Sequence, residues 1–216
     1  MPDKKIFISG ATGYIGTNLI KSLLEQNNEV YALSRPGSEK KLPEGCHVII
    51  GDALNAETFK DKIFPCETFV QLTGVAHPGP GKQRLFKEID LASVKESVES
   101  ALNAGVKNFI YISVTNPSPI LKAYVEVRME GERLIKESGM NAYILRPWYI
   151  IGPGHYWPLI LKPAYIFAEL FPPFREKAID FGLIKLKNVI KALVYTVENP
   201  RNGVRFINMK QLRKFK

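Results

Sequence analysis

A chain of 216 residues is short for two full domains, and at this length an ordinary fold buries close to 70 per cent of the surface its unfolded chain exposes, so a core is available without staples. Hydrophobic residues at 45%, charged at 24% and aromatics at 11% exclude a disordered, collagen-like or disulfide-framework chain. The net charge of +9 is concentrated at one end: from Lys185 onward nine cations face one acid, Glu198. Such a cluster attracts anions, but it lacks the interleaved aromatics of a single-strand platform, so a solvated basic face and no nucleic-acid partner are expected.

Cys46 and Cys66 have no CxxC spacing and no histidine pair nearby, which predicts buried free thiols and no metal. MPDKKIFISG is too short in apolar residues for a signal peptide, and no stretch offers about eighteen uninterrupted apolar residues. A cytoplasmic protein with no membrane span is the expectation.

In chain order, KKIFISG reads as a strand and YIGTNLIKSLLEQ as an amphipathic helix with Ile15, Leu19, Leu23 and Leu24 at helical spacing. EVYALS and HVII follow as strands, AETFKDKI as a short helix with Phe59 and Ile63 on one face, and TFVQLTG as a fourth strand. A long helix across KQRLFKEIDLASVKESVESALNA stops at Gly105, NFIYIS is a fifth strand, and a loop holds Pro117 and Pro119. AYVEVRMEGERLIKESG is a helix closed by Gly139, AYILRP a sixth strand, LKNVIKALVYTVENP a helix and VRFIN a last short strand. Alternating strands and helices predict an α/β fold, a doubly wound parallel sheet in one domain spanning 1–216. Between about 151 and 184 the chain is rich in proline and aromatics with no clean period, which reads as a cap over the sheet edge.

GATGYIG sets Gly10, Gly13 and Gly16 directly after the first strand and at the opening of the first helix. Glycines let the backbone approach a diphosphate, and the helix start offers free N–H donors and the positive dipole end, so residues Gly10, Thr12, Gly13, Tyr14, Ile15 and Gly16 form a dinucleotide-binding turn. At the end of the second strand an NAD site wants a carboxylate, whereas this chain has Ser34 and Arg35. A guanidinium pairs with the 2′-phosphate of NADP, and Lys40 and Lys41 add positive potential, so NADP(H) is preferred over NAD(H).

This set of motifs resembles the atypical short-chain dehydrogenase/reductases, the NmrA-like and epimerase-like NAD(P)-binding proteins: GATGYIG, GDALN, LTGVAHP, ISV, then Tyr124 with Arg128, and RPWYIIGPG. The resemblance implies that Asp52 and Ala53 lie by the adenine, that Leu72, Thr73 and Gly74 line the cofactor, and that Pro147, Tyr149 and Ile150 meet the nicotinamide end. It also implies hydride transfer, with Ser113 holding the substrate oxygen and Tyr124 exchanging the proton. A lysine is expected four residues on, to bind the ribose and lower the tyrosine pKa, and Arg128 stands there instead. Arg128 shares a helical face with Tyr124 but cannot release a proton at working pH; packing for Tyr124 and an Arg128–Glu132 ion pair are the alternatives.

His77, in the loop after the fourth strand, is a candidate substrate contact or acid; His47 belongs at the opposite end of its strand; His155 and Trp157 border the cap. The cap residues Tyr156, Trp157, Leu159, Ile160, Tyr165, Ile166, Phe167, Leu170, Phe171 and Phe174 suit a pocket for a small-molecule substrate, a homodimer contact, a membrane interface or a second core. Three functions stay open: an NADP-dependent oxidoreductase acting on a small carbonyl or conjugated substrate, a non-catalytic NADP(H) sensor of the NmrA-like type, and an epimerase or isomerase that uses the cofactor transiently.

Overall fold

The computed structural model describes residues 4–116, 121–163, 165, 167 and 179–216. Pro117, Pro119, Ile166, Leu170, Phe171 and Phe174 lie outside the described residues. Seven strands form one parallel sheet: β1 (Lys5–Ser9), β2 (Glu29–Ser34), β3 (His47–Ile50), β4 (Thr68–Gln71), β5 (Asn108–Ile112), β6 (Asn141–Leu145) and β9 (Val204–Ile207), in the order β3-β2-β1-β4-β5-β6-β9. The chain winds outward in one direction from β1 to β3 and in the other from β4, so a switch point falls between β1 and β4. In sheets of this topology the crevice beyond the carboxyl ends at that point receives ligands.

The pleat sorts neighbouring residues into two cores. Ile6 and Ile8 pack with Val30, Val70, α1 (Tyr14–Leu24) and the helix Leu186–Glu198, while Phe7 packs with Phe69, Phe109 and the helices of the other face. Phe69 is the middle of that aromatic stack, 5.1 Å from Phe7 and 5.3 Å from Phe109 between ring centroids. Continuous apolar strands are what a sheet covered on both faces requires.

Four features differ from the sequence reading, the fourth being the long helix. AETFKDKI does not form one helix: 3-10 turns at Ala56–Thr58 and Lys60–Lys62 break at Phe59, which still buries its ring alongside Ile63. The segment after β6 has regular structure of its own, because β7 (Tyr149–Ile151) pairs in parallel with β8 (Leu183–Lys185) and a 3-10 turn runs over Trp157–Leu161. Cys66 is buried, whereas Cys46 is only half-buried, its thiol donating to the Pro43 carbonyl.

The long helix divides. A helical turn α2 (Gln83–Leu85), a π-helical segment Phe86–Leu91 and α3 (Ala92–Asn103) follow without a break, and Gly105 ends the run at φ 72°. α4 (Lys122–Glu137) ends at Gly139 in the same left-handed conformation. Towards the C-terminus stand the helices α5 (Leu186–Glu198) and α6 (Met209–Leu212).

Replacing Phe69 by alanine removes the middle ring of the stack, and urea unfolding is expected to show a loss of about 3–5 kcal/mol.

Candidate active site

Backbone pairing continues past the strand ends and brings the motifs together. Leu72 N donates to Ser9 O at 3.1 Å, Ser113 N to Leu145 O at 2.8 Å and Thr115 N to Pro147 O at 3.1 Å. Gly10 is thereby pressed on β4: at φ 71° a Cβ would lie 2.5 Å from the Leu72 carbonyl carbon. A Cβ on Gly16 would lie 2.5 Å from Gly10 O, so α1 begins directly against the turn. Its N-terminus has no side-chain cap and no acid in the first turn. The first-turn amides therefore face the crevice with the positive end of the helix dipole, and this cradle fits a diphosphate.

The crevice has a volume of about 320 Å3. Gly10, Gly13, Tyr14, Ile15 and Gly16 form one wall, Leu72, Gly74 and His77 the next, Ser113, Tyr124 and Arg128 a third, and Pro147, Tyr149, Ile150, His155 and Trp157 close it. Val75, Ala76, Pro78, Ile112, Val114, Leu121 and Trp148 complete the lining; all but Leu121 stand in the motifs quoted above, but as apolar residues none was given a role of its own from sequence. Thr12, Ser34, Arg35, Asp52, Ala53 and Thr73 lie outside it.

Ser34 is buried with its hydroxyl donating to Arg35 O at 3.1 Å, while the Arg35 side chain is exposed. Asp52 caps no helix start: Asn55 takes that place, accepting from Glu57 N at 3.2 Å, and the Asp52 carboxylate accepts from Leu54 N at 3.0 Å.

Two ion pairs support the third wall from behind, Arg128–Asp90 buried on both sides and Arg146–Glu132 buried at the carboxylate and half-buried at the arginine. Arg128 does not pair with Glu132. Its Nη2 donates to Asp90 Oδ1 at 2.5 Å and its Nη1 to Ile112 O at 2.9 Å, and Cζ lies 5.1 Å from the centre of the Tyr124 ring. Glu132 accepts from Arg146 Nη2 on Oε2 at 2.5 Å and from Arg146 Nε on Oε1 at 2.9 Å. Glu132 Oε1 also accepts from Ser113 Oγ at 2.6 Å. A carboxylate can only accept, so the one hydroxyl proton of Ser113 is committed to Glu132 and the serine presents lone pairs to the crevice. Burial raises the Tyr124 pKa; Arg128 opposes that rise and Asp90 adds to it.

At the mouth, His77 and His155 stack 5.0 Å apart, and Tyr14 lies 5.7 Å from His155. Burial and the His77 charge hold His155 below the usual imidazole range. Among the described residues no group of three histidine, cysteine or acidic side chains could hold a metal ion, and no helix is long and apolar enough to cross a membrane.

Residues 10–154 match the profile of an NAD(P)H-binding family. The chain belongs to that family, among the atypical, epimerase-like short-chain dehydrogenase/reductases. It is 29% identical over 225 residues to a UDP-glucose 4-epimerase of Vibrio cholerae, covering 92% of this chain and 68% of that protein. It is 28% identical to an NmrA-like family domain-containing protein of Dictyostelium discoideum, covering 68% of this chain and 51% of the relative. The Bordetella bronchiseptica enzyme WbmH, solved in complex with NAD+, shares the fold at a TM-score of 0.71 and 17% identity, covering 98% of this chain and 79% of that one.

Asp90 was missed in the sequence, where Glu132 appeared only as a partner for Arg128 and Arg146 only as the first residue of RPWYIIGPG. A signal existed for Asp90, since it stands four residues from both Phe86 and Val94, a charge on a buried stripe. Glu132→Ala should strand the Arg146 charge and free the Ser113 hydroxyl, and chemical denaturation is expected to show a loss of about 3 kcal/mol.

Proposed function

We propose that this protein is an NADP(H)-dependent oxidoreductase that reduces a small carbonyl or conjugated substrate, with Tyr124 as the proton donor. The observation that carries the reading is the Tyr124 ring over Arg128 in the same crevice as the glycine-rich turn. A reduced nicotinamide, when bound, supplies the hydride.

Every other part is the chain's own. The first-turn amides of α1 bind the diphosphate, with Asp52, Ala53 and Thr73 toward the adenosine half. Arg35, exposed at the end of β2, pairs with the 2′-phosphate, and Pro147, Tyr149 and Ile150 wall the nicotinamide end. Tyr124 donates its proton to the substrate oxygen. Arg128 anchors ribose hydroxyls with the N–H groups that Asp90, Ile112 and Tyr111 leave free. Ser113, its own proton held by Glu132, orients a hydroxyl as an acceptor instead of polarising a carbonyl as a donor. His77, His155 and Trp157 contact the substrate at the mouth.

Similarity to a protein named UDP-glucose 4-epimerase supports a second reading, in which the coenzyme is used and restored within one turnover. The sensor reading draws on the NmrA-like relative.

A panel of aldehydes, ketones and quinones assayed for NADPH consumption tests the first reading. Activity on at least one compound is expected, falling by about 100-fold or more in Tyr124→Phe, the usual size of a lost general acid. Coenzyme binding with no consumption across the panel would favour the sensor, and sugar-nucleotide interconversion without net consumption the epimerase. Coenzyme preference has a separate check: in calorimetric titrations Arg35→Ala is expected to weaken NADPH about tenfold and NADH little, as for one lost charge-assisted contact. Equal losses would refute the phosphate assignment.

A further inference from the structure

Asp90 has no part in the chemistry above, yet it is fully buried with both carboxylate oxygens engaged. Oδ1 accepts from Arg128 Nη2 at 2.5 Å and Oδ2 from Val75 N at 3.1 Å. A carboxylate removed from water persists only against a countercharge and donors, and this one has both.

Independent features converge on that contact. The π-helical segment Phe86–Leu91 widens the helix where Asp90 leaves it, and such local widenings concentrate at functional sites. Ser93 Oγ donates to Asp90 O at 3.1 Å and accepts from Gln71 Nε2 at 2.9 Å, which ties the π segment to β4. Gly74 leaves the necessary space: a Cβ there would fall on Arg128 Nη2 and lie 2.7 Å from Asp90 Oδ1.

Arg128 faces the Tyr124 ring at 5.1 Å and the Tyr111 ring at 5.6 Å. The titratable groups packed around the Tyr124 phenol are Arg128 on its own helix, Asp90 on the π segment and Tyr111 on β5; Tyr14, His77, His155 and Tyr149 stand in the other walls of the crevice. A lone cation beside a phenol favours the phenolate, whereas a cation matched by a carboxylate has little net pull.

We propose that Asp90 is a positioning residue for Tyr124: by gripping Arg128 it fixes the guanidinium and offsets its charge, so that Tyr124 enters the reaction as a protonated donor and the site is set to reduce carbonyls. The chemistry rests on the carbonyl-reduction reading; the electrostatics belong to the protein alone. In the step itself the phenol O–H bond breaks and a new O–H bond forms on the substrate oxygen. That oxygen takes up the carbonyl π electrons as the carbon receives hydride from the reduced nicotinamide, and the phenolate left behind recovers its proton from water. Burial and the Asp90 charge both raise the Tyr124 pKa, in keeping with this role.

Phenolate absorbance, titrated in coenzyme-free protein, tests the proposal. Subtracting the Tyr124→Phe curve recorded in each background isolates this residue from the other tyrosines. Asp90→Asn leaves the cation uncompensated and is expected to give roughly tenfold more Tyr124 phenolate at a given alkaline pH, a displacement of about one pH unit. Arg128→Gln leaves the carboxylate uncompensated and should move ionisation to higher pH, and the double variant should return toward the native curve. Either single variant suffices if the other does not fold by circular dichroism. An unmoved curve, or ionisation moved to higher pH by Asp90→Asn or to lower pH by Arg128→Gln, would overturn the assignment. The expected displacements in a protein that binds no coenzyme would refute the carbonyl-reduction reading and leave the Asp90 assignment standing.

Discussion

Everything in the crevice depends on how closely two backbones approach at Gly10. The β1–β4 pairing runs on to Leu72, and the turn that follows β1 then has no room for a side chain at position 10 or at position 16, where α1 opens. The same constraint recurs at Gly74, whose missing side chain is the space that the Asp90–Arg128 contact occupies. Three bare positions, two just past the ends of β1 and β4 and one in the first turn of α1, thus set the distance from the helix dipole to the charged wall, and packing of the two cores holds that distance.

α4 carries both halves of the charged wall. Arg128 and Glu132 are one turn apart on a single face, and simple helix spacing would pair them. Each instead reaches across to another element, Arg128 to the π segment and Glu132 to Arg146 beyond β6. Buried ion pairs add little net stability over apolar packing, but each is costly to break, so two of them cross-link the helix at a fixed rotation. That rotation presents Tyr124 to the crevice and draws the Ser113 hydroxyl proton away from it.

Most of the architecture was legible because its signals are local. Apolar runs of four to six residues gave the strands, glycines at 105 and 139 ended helices in the left-handed conformation, and GATGYIG stood at a strand-to-helix junction. What was not legible depends on contacts far apart in sequence. Nothing near Phe59 announces that its ring will leave a helical path to join Phe7, and nothing near Arg128 reveals that its partner lies 38 positions earlier. Spacing put Tyr124 and Ser113 in one neighbourhood, but the direction of the serine hydroxyl is decided by Glu132 and Arg146, which only the fold brings together.

The β7–β8 ribbon has a different kind of implication. Tyr149, Ile150 and Ile151 pair with Leu183, Ile184 and Lys185, so two stretches more than thirty positions apart are tied together at one anchored neck beside the crevice. Sequence between those two strands can therefore change in length or composition without altering the register of the seven-stranded sheet or the turn at Gly10, because neither is built from it.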